Sequence, residues 1–495
     1  MGGYIMAIDQ GTTGSRVFIF DEKGAVVGSA YKEFTQIYPK PGWVEHNPME
    51  IWKSVEETML DACVRSGVEL KEIHAIGITN QRETTVLWEK ETGVPIHNAI
   101  VWQCRRTAGI CDELKSAGYE PLFKKNTGLV VDAYFSGTKV KWLLDNVPGA
   151  RDKAEKGEIL FGTIDTWLMY NLSGGEVHAT DYTNASRTLM FNIEKKEWDK
   201  KILDILGVPE AMLPVVKDSA SLFGHTAEKL PMDRKVPITG VAGDQQAALF
   251  GQGCTKPGMA KNTYGTGCFL LSVTDGIVHS EKGLLTTIAC SDEGKPIYSL
   301  EGAVFIAGAA IQWLRDELKI IKDAKETEEL AKSVDDNHGL YMVPAFVGLG
   351  APYWDMHARG GILGITRGSG RSHLARAALE SIAYQTKDLV EVVNEESEVD
   401  MNLLRVDGGA ASNNFLMQFQ SDILDIDVER PKMIETTAAG AAYLAGLGSG
   451  FWKSGAELTE CREVERVFNP AMDKSERERL YKGWKEAVKR VSTKL

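Results

Sequence analysis

The chain has 495 residues, more than one hydrophobic core normally serves, so two domains are expected. Lys and Arg number 56 against 69 Asp and Glu, and the formal net charge of -13 disfavours nonspecific binding to nucleic acid or to an anionic membrane. The composition is that of an ordinary globular protein, and no apolar run is long enough to span a bilayer.

The cysteines and the N-terminal residues indicate a protein of the cytoplasm. The seven cysteines are odd in number and form no C-x-x-C pair, which argues against a disulfide framework and a cysteine zinc site. The first residues lack the basic and apolar regions of a signal peptide, and Met6 stands where a myristoylation pattern needs Ser or Thr. We therefore expect a cytoplasmic protein without a membrane anchor.

The first third of the chain predicts a sheet with one helix packed against it. Residues 4–9, 15–21 and 25–34 predict a meander of three strands whose first turn, residues 10–14, is rich in Gly and Thr. Residues 47–67 have helical periodicity in their apolar positions. Residues 73–79 predict a buried strand that ends in Asn-Gln-Arg-Glu.

A comparable arrangement begins near residue 236. A strand over 236–241 leads through Ala-Gly-Asp into a helical stretch, and 259–264 and 268–273 predict two strands joined by the turn Gly-Thr-Gly. The strand, Gly/Thr turn and strand of residues 4–21 thus recur at 259–273. We predict two similar α/β domains, 1–250 and 251–495, with a cleft between them. The charged C-terminal stretch 475–494 predicts a solvated surface helix.

The turn that follows Asp9 is a candidate phosphate site. Glycine lets backbone N–H groups approach an anion, threonine hydroxyls add donors, and Asp9 could hold Mg²⁺ through water. A plain hairpin is the alternative, since Gly and Thr are common in turns. The sequence contains neither a G-x-x-x-x-G-K-[ST] nor a G-x-G-x-x-G motif, which excludes a P-loop NTPase and the usual dinucleotide fingerprint.

Three later segments could complete a catalytic site. Asp244 comes after a strand at a helix start, where an aspartate could face a cleft as a base or could simply cap the helix. The turn at Thr266 resembles the first turn and could hold the other side of a polyphosphate. The paired Gly408 and Gly409 after a strand permit close contact with a flat ring such as adenine, or form a tight turn.

The order and spacing of these segments identify a family resemblance. Residues 134–146 (YFSGTKVKWLLDN) and 360–380 (GGILGITRGSGRSHLARAALE) fit the two signature patterns of the FGGY carbohydrate kinases. Over essentially its whole length the chain resembles the members of that family that act on glycerol. The segments that carry this likeness are 39–52, 77–85, 98–107, 180–188, 242–252 and 262–269.

The resemblance implies an α/β protein of two actin-like (ribonuclease H-like) domains with ATP and Mg²⁺ in the cleft between them. It implies phosphoryl transfer from ATP to glycerol, giving sn-glycerol 3-phosphate, with Asp244 as general base and a metal contact of Asp9, through water, or of Asp244. The implied glycerol site is Arg82, Glu83, Trp102, Tyr134, Asp244, Gln245 and Phe269. The implied nucleotide site is Thr12, Thr13, Gly14, Arg16, Thr266, Gly308, Gln312, Gly409 and Asn413. Relatives form dimers and tetramers, so a homodimer or homotetramer is expected.

The residue chemistry agrees with a polyol acceptor. A triol has three hydroxyls that both donate and accept, and Arg82 supplies donors, Glu83 accepts and Gln245 can do either. Ordinary core packing is the alternative role for Trp102 and Phe269. A kinase for another small polyol or sugar, and an actin-like or chaperone-like ATPase, are the alternative functions.

Two positions depart from the pattern of the bacterial relatives. Position 14 is Gly where they commonly carry Ser, which removes a hydroxyl contact to phosphate. Residues 227–235 have no glycine, whereas the relatives bind the inhibitor fructose bisphosphate with a glycine-rich loop there. We expect that inhibition to be weak or absent.

Overall fold

The computed structural model describes residues 3–228, 234–291, 295–397 and 399–494. Residues 229–233, within the glycine-free stretch 227–235, lie outside the described residues. The strands are β1 (Tyr4–Gln10), β2 (Gly14–Phe20), β3 (Val26–Glu33), β4 (Glu45–His46), β5 (Ile73–Asn80), β6 (Val86–Glu89), β7 (Ala99–Ile100), β8 (Ile159–Gly162), β9 (Ala179–Asp181), β10 (Phe191–Asn192), β11 (Glu197–Trp198), β12 (Val215–Lys217), β13 (Gly224–His225), β14 (Pro237–Gly243), β15 (Ala260–Tyr264), β16 (Cys268–Thr274), β17 (Leu285–Ala289), β18 (Ile297–Val304), β19 (Tyr341–Val343), β20 (Gly361–Leu363), β21 (Leu403–Asp407), β22 (Asp427–Pro431) and β23 (Val464–Phe468).

The helices are of ordinary length except for one of 27 residues. They are α1 (Pro48–Ser66), α2 (Ala108–Ser116), α3 (Glu120–Thr127), α4 (Ser136–Asn146), α5 (Ala150–Glu155), α6 (Ile164–Leu172), α7 (Tyr182–Ala185), α8 (Lys200–Leu206), α9 (Asp244–Gly251), α10 (Gly308–Asp316), α11 (Glu326–Lys332), α12 (Arg371–Ser397), α13 (Asn414–Leu424), α14 (Thr436–Ser449), α15 (Gly455–Cys461) and α16 (Lys474–Val491). In the part of the chain that the structure describes, none of them is both long and apolar enough to cross a membrane.

The chain forms two compact α/β units that interleave along the sequence. The first contains the described residues of 1–255, 286–298 and 436–462, and the second those of 256–285, 299–435 and 463–495. The expected fold class of two α/β units is confirmed. The division into 1–250 and 251–495, and the ATP cleft between the halves, stay predictions.

The first unit is built on a six-stranded sheet of order β13-β14-β5-β1-β2-β3. β1 pairs with β2 in antiparallel and with β5 in parallel, and β5 pairs with β14 in parallel. Helix α14 packs on β14 and β5 so closely that a Cβ at Gly77 or Gly240 would lie 2.2–2.3 Å from its backbone. Because β1, β5 and β14 are parallel, their carboxyl ends meet at one edge, where Asp9, Asn80 and Gly243 lie.

The second unit repeats the strand pattern of the first. Its strands run in the order β16-β15-β21-β22-β23 within a seven-stranded sheet. β15 pairs with β16 in antiparallel and with β21 in parallel, as β1 does with β2 and β5. The recurrence of strand, Gly/Thr turn and strand, predicted from residues 4–21 and 259–273, is confirmed, and the parallel neighbour strand in each unit adds to it.

The C-terminal helix differs from its prediction. Leu480, Trp484 and Val488 of α16 are buried, and the Trp484 indole donates to Asp388 of α12 at 2.8 Å. The prediction of a solvated surface helix over 475–494 is therefore wrong for one face. The sequence prediction rests on the many charged residues of the other face. The three apolar residues are spaced four positions apart, so they lie on one face of the helix and can pack against the core.

Candidate active site

The carboxyl end of β5 carries a buried ionic cluster. Arg82 and Glu83 follow the strand and are 3% and 1% exposed. Glu83 has a φ of 59°, a left-handed conformation that non-glycine residues adopt rarely and that is concentrated at functional sites. Its Oε1 lies 2.6 Å from Nε of Arg187, a fully buried arginine from the segment that follows α7.

Asp244 lies beside Arg82. The Nε of Arg82 is 3.2 Å from Asp244 Oδ1, and the Nη1 of Arg82 donates to Gln246 Oε1 at 3.2 Å. The Asp244 side chain is about one third exposed, so it can reach a bound molecule. Arg82, which is itself held by Gln246, thus orients the Asp244 carboxylate, and that carboxylate remains accessible.

The N-cap of helix α9 is not Asp244. Its N-cap is Gly243, whose N–H donates to Thr183 Oγ1 at 2.8 Å, and Asp244 is the first helical residue. Asp244 Oδ1 accepts from the N–H of Gln245 at 2.7 Å. The alternative role as N-cap is therefore not the one that the structure gives Asp244, although an acid in the first turn favours the helix dipole.

An aromatic pair stands next to this cluster. The rings of Trp102 and Tyr134 are 5.6 Å apart and nearly perpendicular, and both residues are half-buried. The Arg187 guanidinium lies 5.5 Å from the Tyr134 ring centre, which joins the aromatic pair to Glu83. Half-burial distinguishes these rings from ordinary core aromatics, because an open face remains for a ligand.

The turn at residues 11–14, which the sequence predicts to bind phosphate, is held from two sides. The N–H of Gly11 donates to Gly14 O at 3.0 Å, which closes the turn. Thr12 accepts at Oγ1 from the Trp102 indole at 3.0 Å, so the turn contacts the aromatic pair. Thr13 and Arg16 are exposed. Six of the seven residues predicted for the glycerol site lie in the first unit, together with the first four predicted for the nucleotide, Thr12, Thr13, Gly14 and Arg16.

The structure explains the glycine at position 14. A Cβ there would lie 2.5 Å from the Tyr31 ring, 2.7 Å from its hydroxyl and 2.7 Å from Lys32 O. The Tyr31 ring, which stacks against the Arg16 guanidinium at 5.1 Å, occupies the space that a serine side chain would need.

A cavity of about 720 Å³ lies within the second unit. Its lining includes all five residues of this half of the chain that the family resemblance implies for nucleotide binding: Thr266, Gly308, Gln312, Gly409 and Asn413. The volume is in the range of pockets that bury small ligands. Phe269, the seventh acceptor candidate, is half-buried in β16 of this unit.

Glycines give this cavity its shape. The N–H groups of Ala307 and Gly308 donate to the carbonyls of Thr266 and Gly265, so α10 starts directly on the turn between β15 and β16. A Cβ at Gly308 would lie 2.5 Å from Gly265 O, whereas one at Gly409 would meet nothing within 4 Å. Gly308 is thus needed for the backbone contact, and Gly409 leaves open space for a ligand.

The acidic residues at the sheet edge suit a hydrated magnesium ion. Asp9 and Asp244 are half-buried, and carboxylate oxygens are the donors that Mg²⁺ prefers, usually with water between. In the described residues there is no group of three or more His, Cys, Asp and Glu side chains that could hold a metal directly. A metal bound mainly by water and substrate phosphates is the arrangement that fits.

Comparisons with known proteins identify the family. Models of the N-terminal and C-terminal domains of the FGGY family of carbohydrate kinases match residues 4–251 and 260–449. The chain belongs to the FGGY family of carbohydrate kinases.

Its curated relatives share most of their length with it. A glycerol kinase of Alkaliphilus metalliredigens is 60% identical over 492 residues, 99% of this chain and 98% of that protein. Glycerol kinase 2 of Thermotoga maritima is 62% identical over 488 residues, 98% of each chain. Among solved structures, Plasmodium falciparum glycerol kinase with ADP has a TM-score of 0.94 at 38% identity and covers 100% of this chain and 99% of its own.

Proposed function

We propose that this kinase transfers the γ-phosphoryl group of ATP to a terminal hydroxyl of glycerol, giving sn-glycerol 3-phosphate and ADP. The observation that carries the proposal is the cluster of Arg82, Glu83 and Asp244 beside the Trp102–Tyr134 pair. A triol needs donors, acceptors and an apolar surface for its carbon chain, and this cluster offers all three. The full-length identity of 60% to proteins named glycerol kinase supports the same acceptor.

Asp244 acts as the general base in this proposal. Its accessible carboxylate takes the proton of the attacking hydroxyl as the oxygen bonds to the γ-phosphorus and ADP leaves. Arg82, at 3.2 Å, orients the carboxylate, and Glu83 accepts a hydrogen bond from another hydroxyl of glycerol. Positioning is expected to supply most of the rate, because the transition state of phosphoryl transfer is largely dissociative.

In this proposal the nucleotide is held by the cavity residues and by the two Gly/Thr turns. The cavity with Gly308, Gln312, Gly409 and Asn413 takes the adenosine end, and the turns at Thr12 and Thr266 meet the phosphates with backbone N–H and hydroxyl groups. Mg²⁺, when bound, would offset the phosphate charge, with Asp9 or Asp244 holding its water ligands.

The family likeness also supports a cytoplasmic homo-oligomer with functional halves 1–250 and 251–495. Light scattering of the purified protein is expected to give the mass of a dimer or a tetramer, and a monomer would contradict this.

A coupled ADP-release assay over a panel of polyols and sugars tests the acceptor. ADP release stimulated by glycerol above all other acceptors is the expected result. Strongest stimulation by another polyol or sugar would replace glycerol as the acceptor within the same family. Turnover independent of any acceptor would favour the actin-like or chaperone-like ATPase.

The nucleotide site has its own test in Gly409→Val. The side chain would enter open space in the cavity, so we expect the KM for ATP to rise by about tenfold or more, while the KM for glycerol stays unchanged. Gly370→Val is the matched control, because a Cβ there also meets nothing within 4 Å but Gly370 does not line the cavity. Equal effects of the two variants on the ATP KM would remove Gly409 from the nucleotide site.

A further inference from the structure

A buried ammonium group lies behind the proposed acceptor site. Lys139, in the first turns of α4, is 0% exposed. Its Nζ donates to the carbonyl oxygens of three consecutive residues, Ala133, Tyr134 and Phe135, at 2.5–3.0 Å. An ammonium has three N–H donors, so this one segment of backbone accounts for all of them.

Burying a lysine this deeply is unfavourable unless a local need offsets it. Residues 133–135 belong to no helix or strand, and the ammonium gives their carbonyl oxygens a hydrogen-bond partner inside the protein. Burial lowers the pKa of Lys139 to about 8, and the negative charge of Glu83 opposes that shift. The negative charge of Glu83, a residue of the proposed acceptor site, thus favours the charged form of Lys139.

The same segment carries Tyr134 and contacts Glu83. The N–H of Tyr134 donates to Asp132 Oδ1 at 2.8 Å, so Tyr134 is held through its N–H by Asp132 and through its carbonyl by Lys139. The next residue but one, Ser136, donates from Oγ to Glu83 O at 3.0 Å. Residues 132–136 therefore hold the backbone that carries the Tyr134 ring next to the backbone that carries the Glu83 carboxylate.

We infer that Lys139 is a positioning residue for the polyol acceptor, with Ser136 as its partner. Lys139 holds the segment that carries Tyr134, and Ser136 ties that segment to Glu83, so that the ring and the carboxylate meet one small polyol together. The inference rests on the proposed function, because it assigns these residues to the same acceptor site. Neither residue touches the substrate.

The alternative is a purely structural role, in which the ammonium only satisfies buried carbonyls. That role predicts lower stability without a specific change in acceptor binding. The two roles therefore separate in the ratio of the KM for glycerol to the KM for ATP, and in the dissociation constant of glycerol measured by calorimetry.

Ser136→Ala is the mildest test. The Glu83 carbonyl also accepts from Thr85 Oγ1 at 3.1 Å, so it stays paired and the variant is expected to fold. We expect the KM and the dissociation constant for glycerol to rise roughly three- to tenfold, with the KM for ATP unchanged. Lys139→Met, which keeps the length of the side chain and removes the charge, is expected to raise both glycerol constants by about thirtyfold or more.

Leu144→Ala is the matched control, because Leu144 is buried in the same helix about two turns after Ser136. It should lower the thermal midpoint without changing the glycerol constants. Glycerol constants within twofold of wild type in Ser136→Ala would overturn the inference, and so would an equal rise in Leu144→Ala. If Lys139→Met does not fold, Ser136→Ala decides.

The proposed function fails separately from this inference. A wild-type protein that does not use glycerol would refute the proposed acceptor. The same variants are then measured with whichever acceptor the wild type uses, and an unchanged KM for that acceptor would overturn the positioning role.

Discussion

Asp244→Asn is expected to lower kcat by about 10²–10⁴-fold while leaving the protein folded and able to bind ATP. This is the range for losing a positioned acid or base. Asparagine keeps the size of the side chain and most of its hydrogen bonding but cannot take a proton. The helix should be unaffected, because the N-cap of α9 is Gly243 and an asparagine oxygen at position 244 can still accept from the N–H of Gln245.

The measurement is kcat, the thermal midpoint and the ATP affinity of Asp244→Asn beside Asp9→Asn. The two carboxylates have different expected roles, so Asp9→Asn should weaken the dependence of the rate on Mg²⁺ as well as the rate itself. ATP affinity should survive in Asp244→Asn, since the proposed phosphate contacts come from the turns at Thr12 and Thr266. A folded Asp244→Asn protein with near wild-type kcat would remove Asp244 from the mechanism.

The parts of the site that could be predicted from sequence are those that local chemistry determines. A turn of Gly and Thr between two apolar strands has few alternatives, and both hairpins, at residues 4–20 and 260–274, form as expected. Glycines in such turns also mark close backbone approach, as Gly308 does beside Gly265. The five residues that the family resemblance implies for the nucleotide in the second half line a single cavity.

The parts that could not be predicted depend on contacts between distant segments. Arg187 reaches Glu83 across 104 positions of sequence, and nothing in its local pattern indicates a buried ion pair. Lys139 stands in a helical stretch, where a lysine is normally exposed. The return of residues 436–462 to the first unit is equally invisible, because α14 is apolar on all sides and its partner strands lie far back in the chain. Gly77 and Gly240, which allow that contact, were the available signal.

Arg82→Ala is expected to raise the glycerol requirement by about tenfold to several hundredfold. Hydrogen bonds to charged groups contribute roughly 1.5–3 kcal/mol, and each 1.4 kcal/mol is a factor of ten. Arg82 is buried and connects three groups of the site. Its Nε lies 3.2 Å from Asp244 Oδ1 and 3.9 Å from Glu83 Oε1. Its Nη1 donates to Gln246 Oε1 at 3.2 Å. Its loss also releases the carboxylate of Asp244, so a fall in kcat should accompany the rise in KM.

Two further variants separate recognition from general damage. Arg82→Lys keeps the positive charge but cannot donate to Asp244 and Gln246 at once in the fixed geometry of a guanidinium, so its glycerol KM should fall between those of wild type and Arg82→Ala. Arg151→Ala is the control, because Arg151 makes its ion pair with Asp145 and its hydrogen bond to Gly207 O outside the candidate acceptor residues. The KM for glycerol and for ATP and the thermal midpoint are measured for all three. Unchanged glycerol dependence in a folded Arg82→Ala protein would exclude Arg82 from the acceptor site.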